Sequence, residues 1–284
     1  MKKVIFDCDN TFGLLNHDID DGLTLLYLLG APTIEILGVT LTFGNSDLTD
    51  VEKITQDFRQ KLNLTFNYYA RNQAQFLVDQ VNQYPGEITL LATGALTNLA
   101  QAQTIDPAFF SKVKEIVLMG GVVKPLVVNQ ILVEELNFSS DALATEKVLL
   151  SQAKLTIMNG HMTAQAFFSK NDLEIFLTKI SGYLSVQSFN WFKATLESWI
   201  QWNEKQFNFK GFCNWDMTTA VYLEQPELFS AENYYLAAKQ PELMVGKMRI
   251  VDTSAYLIKM SDQLTNIIEF NQLVIDRMTK GLSR

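Results

Sequence analysis

Five carboxylates crowd one short stretch near the start of the chain: Asp7, Asp9, Asp18, Asp20 and Asp21, within VIFDCDNTFGLLNHDIDDG from Val4 to Gly22. Charges of one sign at that density repel each other, so something must compensate them. A solvated loop and a helix N-cap account for Asp18 and one of the Asp20–Asp21 pair, because acidic side chains suit the start of a helix. They do not account for Asp7 and Asp9, which end the apolar run Val4-Ile5-Phe6. Carboxylates at the end of a buried strand in an open α/β crevice meet a hard cation or a polar substrate.

The elements that must position these groups follow from the apolar pattern. Val4–Phe6 predicts a buried strand, and the run from Leu23 to Leu29 a buried helix behind the acidic loop. Further strands are predicted at Ile34–Leu41, Phe66–Ala70, Ile88–Ala92, Glu115–Met119 and Leu155–Met158, with helices over about 48–62 and from Leu96. Continuous apolar strands alternating with helices predict an α/β fold: an open, mainly parallel, Rossmann-like sheet with helices on both faces. Ligands in such a sheet sit at the carboxyl ends of the strands. Those ends carry Asp7 and Asp9, Asn45, Thr93 and Gly120-Gly121, so polar residues far apart in sequence meet on one rim. The second half is more helical. A stretch over 184–207 is rich in aromatics, with Phe189, Phe192, Leu196 and Trp199 on one helical face. Strands are expected at Met248–Val251 and around Asn266–Ile268, and a closing helix from Phe270 to Met278. Without a repeat, a low-complexity stretch or a linker, residues 1–284 read as a single domain.

Composition narrows the function. The chain has 284 residues, 48% of them hydrophobic, enough for a substantial core, and a formal net charge of −8 that speaks against a nucleic-acid groove. Cys8 and Cys213 have no metal-ligand spacing, so reduced thiols in a cytoplasmic protein are expected. Met1-Lys2-Lys3 runs straight into a strand with no signal-peptide core, and no apolar run is long enough for a membrane span. His17 and His161 are the only histidines, which limits any imidazole chemistry.

Two family resemblances compete. Val4-Ile5-Phe6-Asp7-Cys8-Asp9-Asn10-Thr11 looks like the first motif of the haloacid-dehalogenase phosphatases, which implies Asp7 as nucleophile and Asp9 as acid/base. That likeness leaves Asp18, Asp20 and Asp21 unused and lacks a late acidic pair. The whole set of strand-end motifs instead resembles the inosine–uridine-preferring nucleoside hydrolase family. It comprises Asp7-x-Asp9 with Asp20-Asp21, Gly38-Val39-Thr40 leading to Gly44-Asn45, Ala92-Thr93-Gly94-Ala95-Leu96-Thr97-Asn98, Val117-Leu118-Met119-Gly120-Gly121, Asn129 with Glu135-Leu136-Asn137 and Asp141, and Trp215-Asp216. The resemblance implies hydrolysis of the N-glycosidic bond of a ribonucleoside in a Ca²⁺-dependent homodimer or homotetramer. It implies Asp9, Asp21, the Thr93 carbonyl and Asp216 as Ca²⁺ ligands, with Asp9 also the general base. It further implies Asp20, Asn45 and Asp216 around the ribose, and Asn129, Glu135 and Asn137 on the far side near the 5′-hydroxyl. A Ca²⁺-dependent riboside binder with little turnover is a third possibility.

Three departures shape the expectations. The loop Asn10–Ile19 is longer than the family's short turn. The stretch from Asn45 to Thr93 lacks the family's His-Gly-containing segment at the base pocket. Trp215 stands where pyrimidine-accepting members carry a leaving-group histidine, which implies stacking on a purine, with Trp199 or Trp202 as a possible second wall. His161 reads as structural.

Overall fold

The computed structural model describes residues 1–283. Its centre is a nine-stranded sheet. The strands are β1 (Lys2–Cys8), β2 (Ile34–Leu41), β3 (Tyr68–Tyr69), β4 (Ile88–Ala92), β5 (Glu115–Met119), β6 (Leu155–Met158), β7 (Phe229–Ala237), β8 (Arg249–Val251) and β9 (Leu257–Leu264). Their spatial order is β8-β7-β9-β6-β5-β4-β1-β2-β3. Every neighbouring pair from β9 to β3 is parallel, while β7 runs antiparallel to both β8 and β9.

The apolar runs of the central strands serve two cores, one on each face. On β1, Val4 and Phe6 enter one core and Ile5 the other; on β4, Leu91 opposes Leu90 and Ala92. That alternation with period two is why these strands are apolar throughout instead of every second residue. Helix α1 (Asp20–Gly30) is buried along its whole length between the sheet and the C-terminal helix. Other helices used below are α2 (Leu48–Lys61), α3 (Val186–Phe207), α4 (Met217–Glu224) and α5 (Ile267–Leu282). Helices α1 and α5 cross at Gly30 and Gly281, where an added Cβ would overlap the Arg277 and Leu26 carbonyls.

The mainly parallel α/β sheet is as expected. One strand expectation fails: Asn266–Ile268 is the start of α5. The Asn266 side chain accepts from the Glu269 amide as an N-cap, and Phe270, Val274, Ile275 and Met278 are buried at helical spacing behind it. The strands of this region, β7 and β9, carry partly exposed, mixed sequences at the sheet's antiparallel end, so they lack the apolar runs of the centre. Small antiparallel pairs, 126–128 with 131–133 and 167–169 with 211–213, lie outside the main sheet.

Candidate active site

Chain direction places the site. From β1 the chain steps outward to β2 and β3 on one side, and β4, β5 and β6 lie on the other. The crevice between the ends of β1 and β4 is therefore the topological switch point, where a doubly wound sheet opens to a ligand. Asp9 follows the end of β1 and Thr93 the end of β4. The Thr93 amide donates to the Asp7 carbonyl at 2.9 Å, and its hydroxyl to Asp21 at 2.6 Å, tying both strand ends to the start of α1.

Asp9, Asp20, Asp21 and Asp216 are all buried. Asp9 is held from the loop after β2: the Asn45 amide donates to Oδ2 at 2.5 Å and the Asn45 side chain to Oδ1 at 3.3 Å. The loop can approach so closely because residue 44 is glycine, with φ of +153°, and a Cβ there would overlap the Asp9 carboxylate. Asp20 accepts from the Asp216 amide at 2.9 Å, which joins the start of α4 to the start of α1. The Asp9 and Asp21 carboxyls lie within hydrogen-bond reach of each other, as do those of Asp20 and Asp216.

Electrostatics follow from this crowding. Burial pushes Asp9 and Asp20 above the ordinary carboxylate range, partly offset by hydrogen bonds from Asn45 and Asp21 to Asp9 and from Asp216 to Asp20. Burial and neighbouring carboxylates push Asp21 and Asp216 well above it. Among the described residues no Lys or Arg lines the cleft to balance them. The four groups must therefore share protons or take up a cation. Their all-oxygen chemistry fits a hard divalent cation. Among the described residues no three His, Cys, Asp or Glu side chains already converge as a cage, so the carboxylates pair two by two.

The cleft encloses about 280 Å³. Asp20, Asn45, Asn137 and Asp216 line it beside Met119 and Gly160. The same cleft carries an aromatic wall: Trp199 and Trp202 stack at 4.7 Å, Trp202 meets Phe207 edge-on, and Phe207 stacks on Phe209 at 5.6 Å. Trp215 also lines the cleft. The Trp199 indole nitrogen is buried without a partner. Asn137 is anchored through the Met119 carbonyl at 3.1 Å.

Two expected residues stand differently, and Asp7 sits behind the site as the nucleoside hydrolase likeness implies. Glu135 lines the cleft, but its oxygens accept from the Gly121, Phe138 and Ser139 amides at 3.1, 2.9 and 3.1 Å. Its first task is holding that turn. Asn129 is not brought to the cleft. It is exposed, with φ of +47°, at the tip of the 126–133 hairpin, and its side chain donates to the Phe207 carbonyl at 2.5 Å. Two apolar triplets separated by Asn129-Gln130 are the signature of such a hairpin, and both turn residues have positive φ. Asp7 is not exposed to the cleft either. Its Oδ1 accepts from Thr40 and Asn98 at 2.5 and 2.7 Å, and burial pushes its carboxyl up to about 7 against those two hydrogen bonds. A carboxylate locked there cannot attack a phosphoryl group, so the phosphatase likeness of the first strand fails on geometry.

Sequence reasoning allows the long loop to widen or cover the entrance, with His17 near the substrate, but does not show what fastens it. Phe12 is buried and packs on Phe58 of α2 and on Trp191 and Phe192 of α3, with centroids at 5.0, 5.6 and 5.1 Å. The Thr11 hydroxyl donates to the Asp18 carbonyl at 2.7 Å. So fastened, the loop presents Asn16, His17 and Asp18 to the cleft. A lone aromatic in a polar loop was the available signal.

An α/β sheet whose switch-point crevice is lined by both carboxylates and aromatic rings defines a small-molecule-binding class of protein. Comparison with known proteins is specific. A model of the family described as inosine-uridine preferring nucleoside hydrolase matches residues 60–271, and the chain belongs to that family of N-glycosidases. A probable uridine nucleosidase 1 from Oryza sativa subsp. japonica is 30% identical over 215 residues, covering 60% of this chain and 62% of the rice protein. Uridine nucleosidase 1 from Arabidopsis thaliana is 27% identical over 283 residues, covering 86% of this chain and 80% of its own. Among solved structures, a purine-preferring ribonucleoside hydrolase from Gardnerella vaginalis superposes with a TM-score of 0.82 at 17% identity, over 99% of both chains. A plant nucleoside hydrolase superposes with a TM-score of 0.80 at 19% identity, over 98% of this chain and 99% of that one. These two share the fold.

Proposed function

We propose that this protein hydrolyses the N-glycosidic bond of ribonucleosides, purine nucleosides preferred, to ribose and free base. The observation that carries the reading is a buried carboxylate group whose Asp20 and Asp216 line one cleft with the stacked tryptophans, while Asp9 and Asp21 lie buried behind them. The carboxylates suit a polyhydroxylated sugar and the rings a flat base.

Asp9, Asp21, Asp216 and the Thr93 carbonyl would hold a divalent cation, Ca²⁺ by family likeness, which when bound would supply positive charge that acidifies water and offsets the carboxylates. Asp9 accepts a proton from the attacking water, and Asn45 keeps its carboxylate from rotating away. Asp20, Asn45, Asn137 and Asp216 surround the ribose hydroxyls. Trp215 stacks on the base, which favours a purine and stabilises positive charge as it departs. The plant relatives named uridine nucleosidases make the base preference the point to test. Cytoplasmic location and a homodimeric or homotetrameric state complete the proposal, the latter readable by light scattering.

Release of reducing sugar from inosine and uridine, with and without a chelator, tests the reading. Chelator-sensitive release is expected, faster from inosine. Trp215→Ala should lower the inosine rate about 2- to 12-fold, the scale of losing a stacking contact of about 0.5–1.5 kcal/mol, and should spare uridine. Equal rates on both bases, or unchanged inosine turnover in Trp215→Ala, would defeat the purine preference. Ribose binding without turnover would make the protein a binder.

A further inference from the structure

A departing nucleobase takes the electron pair of the glycosidic bond, and water alone protonates it slowly. We propose that His17 is the proton donor to that base, an inference that rests on the nucleoside hydrolase reading above.

Elimination within the cleft leads to His17. Tryptophan, phenylalanine and amide side chains cannot deliver a proton at neutral pH. Among the described residues no Lys or Arg lines the cleft. Of the lining carboxyls, Asp20 and Asp216 belong to the paired acidic group, and Glu135 spends its oxygens on three backbone amides. Glu134 is exposed. Asp18 accepts through Oδ1 from the Ile19 and Asp20 amides at 2.7 and 3.2 Å, and its carboxyl lies within hydrogen-bond reach of Asp20, so it belongs with the acidic group. His17 is the one imidazole on the cleft wall.

Its ring is set for the task. Nδ1 lies 2.9 Å from the Leu15 carbonyl, an acceptor only, so Nδ1 carries a hydrogen in either charge state. Nε2 is then the atom that gains and gives the proton. The loop carrying the ring is fastened by Phe12 and by the Thr11 hydroxyl. His17 also lines a second cavity of about 270 Å³ between the loop and α3, and Asn16 and Trp199 border both spaces. The imidazole thus shares both cavities with Trp199, one member of the aromatic wall on which the proposed function seats the base. This supplies within the acidic loop the acid that Trp215 cannot be.

The step balances. The C1′–N bond breaks and its electron pair stays with the base. The imidazolium gives its Nε2 proton to a ring nitrogen or exocyclic oxygen of the base. Water adds to C1′ as its proton passes to Asp9. The two side chains return to their starting states by exchange with solvent.

The test compares leaving groups. 4-Nitrophenyl β-D-ribofuranoside expels a stable phenolate and needs no acid; inosine does. His17→Asn keeps a donor for the Leu15 carbonyl and removes the acid. It is expected to lower kcat on inosine about 10²-fold or more, the usual worth of general acid catalysis, with kcat on the nitrophenyl riboside within about twofold of wild type. Equal loss on both substrates would mean that His17 only shapes the loop, and no loss on either would remove it from the reaction; both overturn the proposal. So would a leaving-group-selective loss in Asp18→Asn with His17→Asn unaffected. Wild-type protein inert on both ribosides would overturn the hydrolase reading itself, and this inference with it.

Discussion

Asp7 and Asp9 stand two residues apart on one strand end and have different partners. Asp7 is locked by Thr40 and Asn98 beneath the crevice, whereas Asp9 is held by Asn45 at its edge. Replacing each carboxylate with the isosteric amide separates these tasks. Asp9→Asn keeps an acceptor for the Asn45 amide and loses the base, so kcat for ribose release should fall about 10²- to 10⁴-fold. Asp7→Asn removes no group from the cleft, and its loss of kcat should be far smaller. The comparison is made by reducing-sugar assay at saturating nucleoside, with circular dichroism to confirm folding. A larger kcat loss in Asp7→Asn would exchange the two assignments.

The element that most distinguishes this chain is the loop from Asn10 to Ile19. Its one buried aromatic, Phe12, fills the space between α2 and α3 and abuts Gly22 at the start of α1. Phe12→Ala should destabilise the protein by about 3–5 kcal/mol, as for other buried phenylalanines, measured by denaturant unfolding. Because the loop carries Asn16, His17 and Asp18, activity in native buffer should fall as well. The role of this loop was hard to read in sequence, since fixing it needs contacts from Thr11 to Asp18 and from Phe12 to residues 58, 191 and 192. The parallel strands and α1 were legible because each is a continuous apolar run. The helix start at Asn266 was misread because Ile267-Ile268 gives the same short apolar signal in a strand as in a helix. The apolar hairpin at 126–133 is not legible in sequence for a related reason, so Asn129 reads there as a ligand although it is the turn residue. Acidic site residues were legible through motif order, and the aromatic wall only as a helix face. Phe207 and Phe209 join that wall because the chain reverses after α3, with Asn208 in the left-handed conformation.

At the scale of the whole molecule, the sheet brings carboxylates from the end of β1, from α1 and from α4 into one buried place. Folding must desolvate all of them, and no Lys or Arg side chain lines the cleft among the described residues. Burying like charges unpaired is costly, so the folded state must either hold protons on these groups or gain a counter-charge. A divalent cation that binds the folded chain and not the unfolded one stabilises by mass action, about 2.7 kcal/mol at a concentration one hundred times its Kd. The expected outcome is a higher Tm at neutral pH with millimolar Ca²⁺ than with a chelator, by several degrees for a chain of this length. Asp21→Asn should shrink that shift, since it removes one oxygen donor's charge from the group. Asp57→Asn, on the exposed face of α2 in an ion pair with Lys61, should leave it intact. Differential scanning calorimetry of the three proteins decides the matter. A Tm indifferent to Ca²⁺ in the wild type would mean that the carboxylate pairs are satisfied by shared protons, and the cation would lose its place in the proposed function.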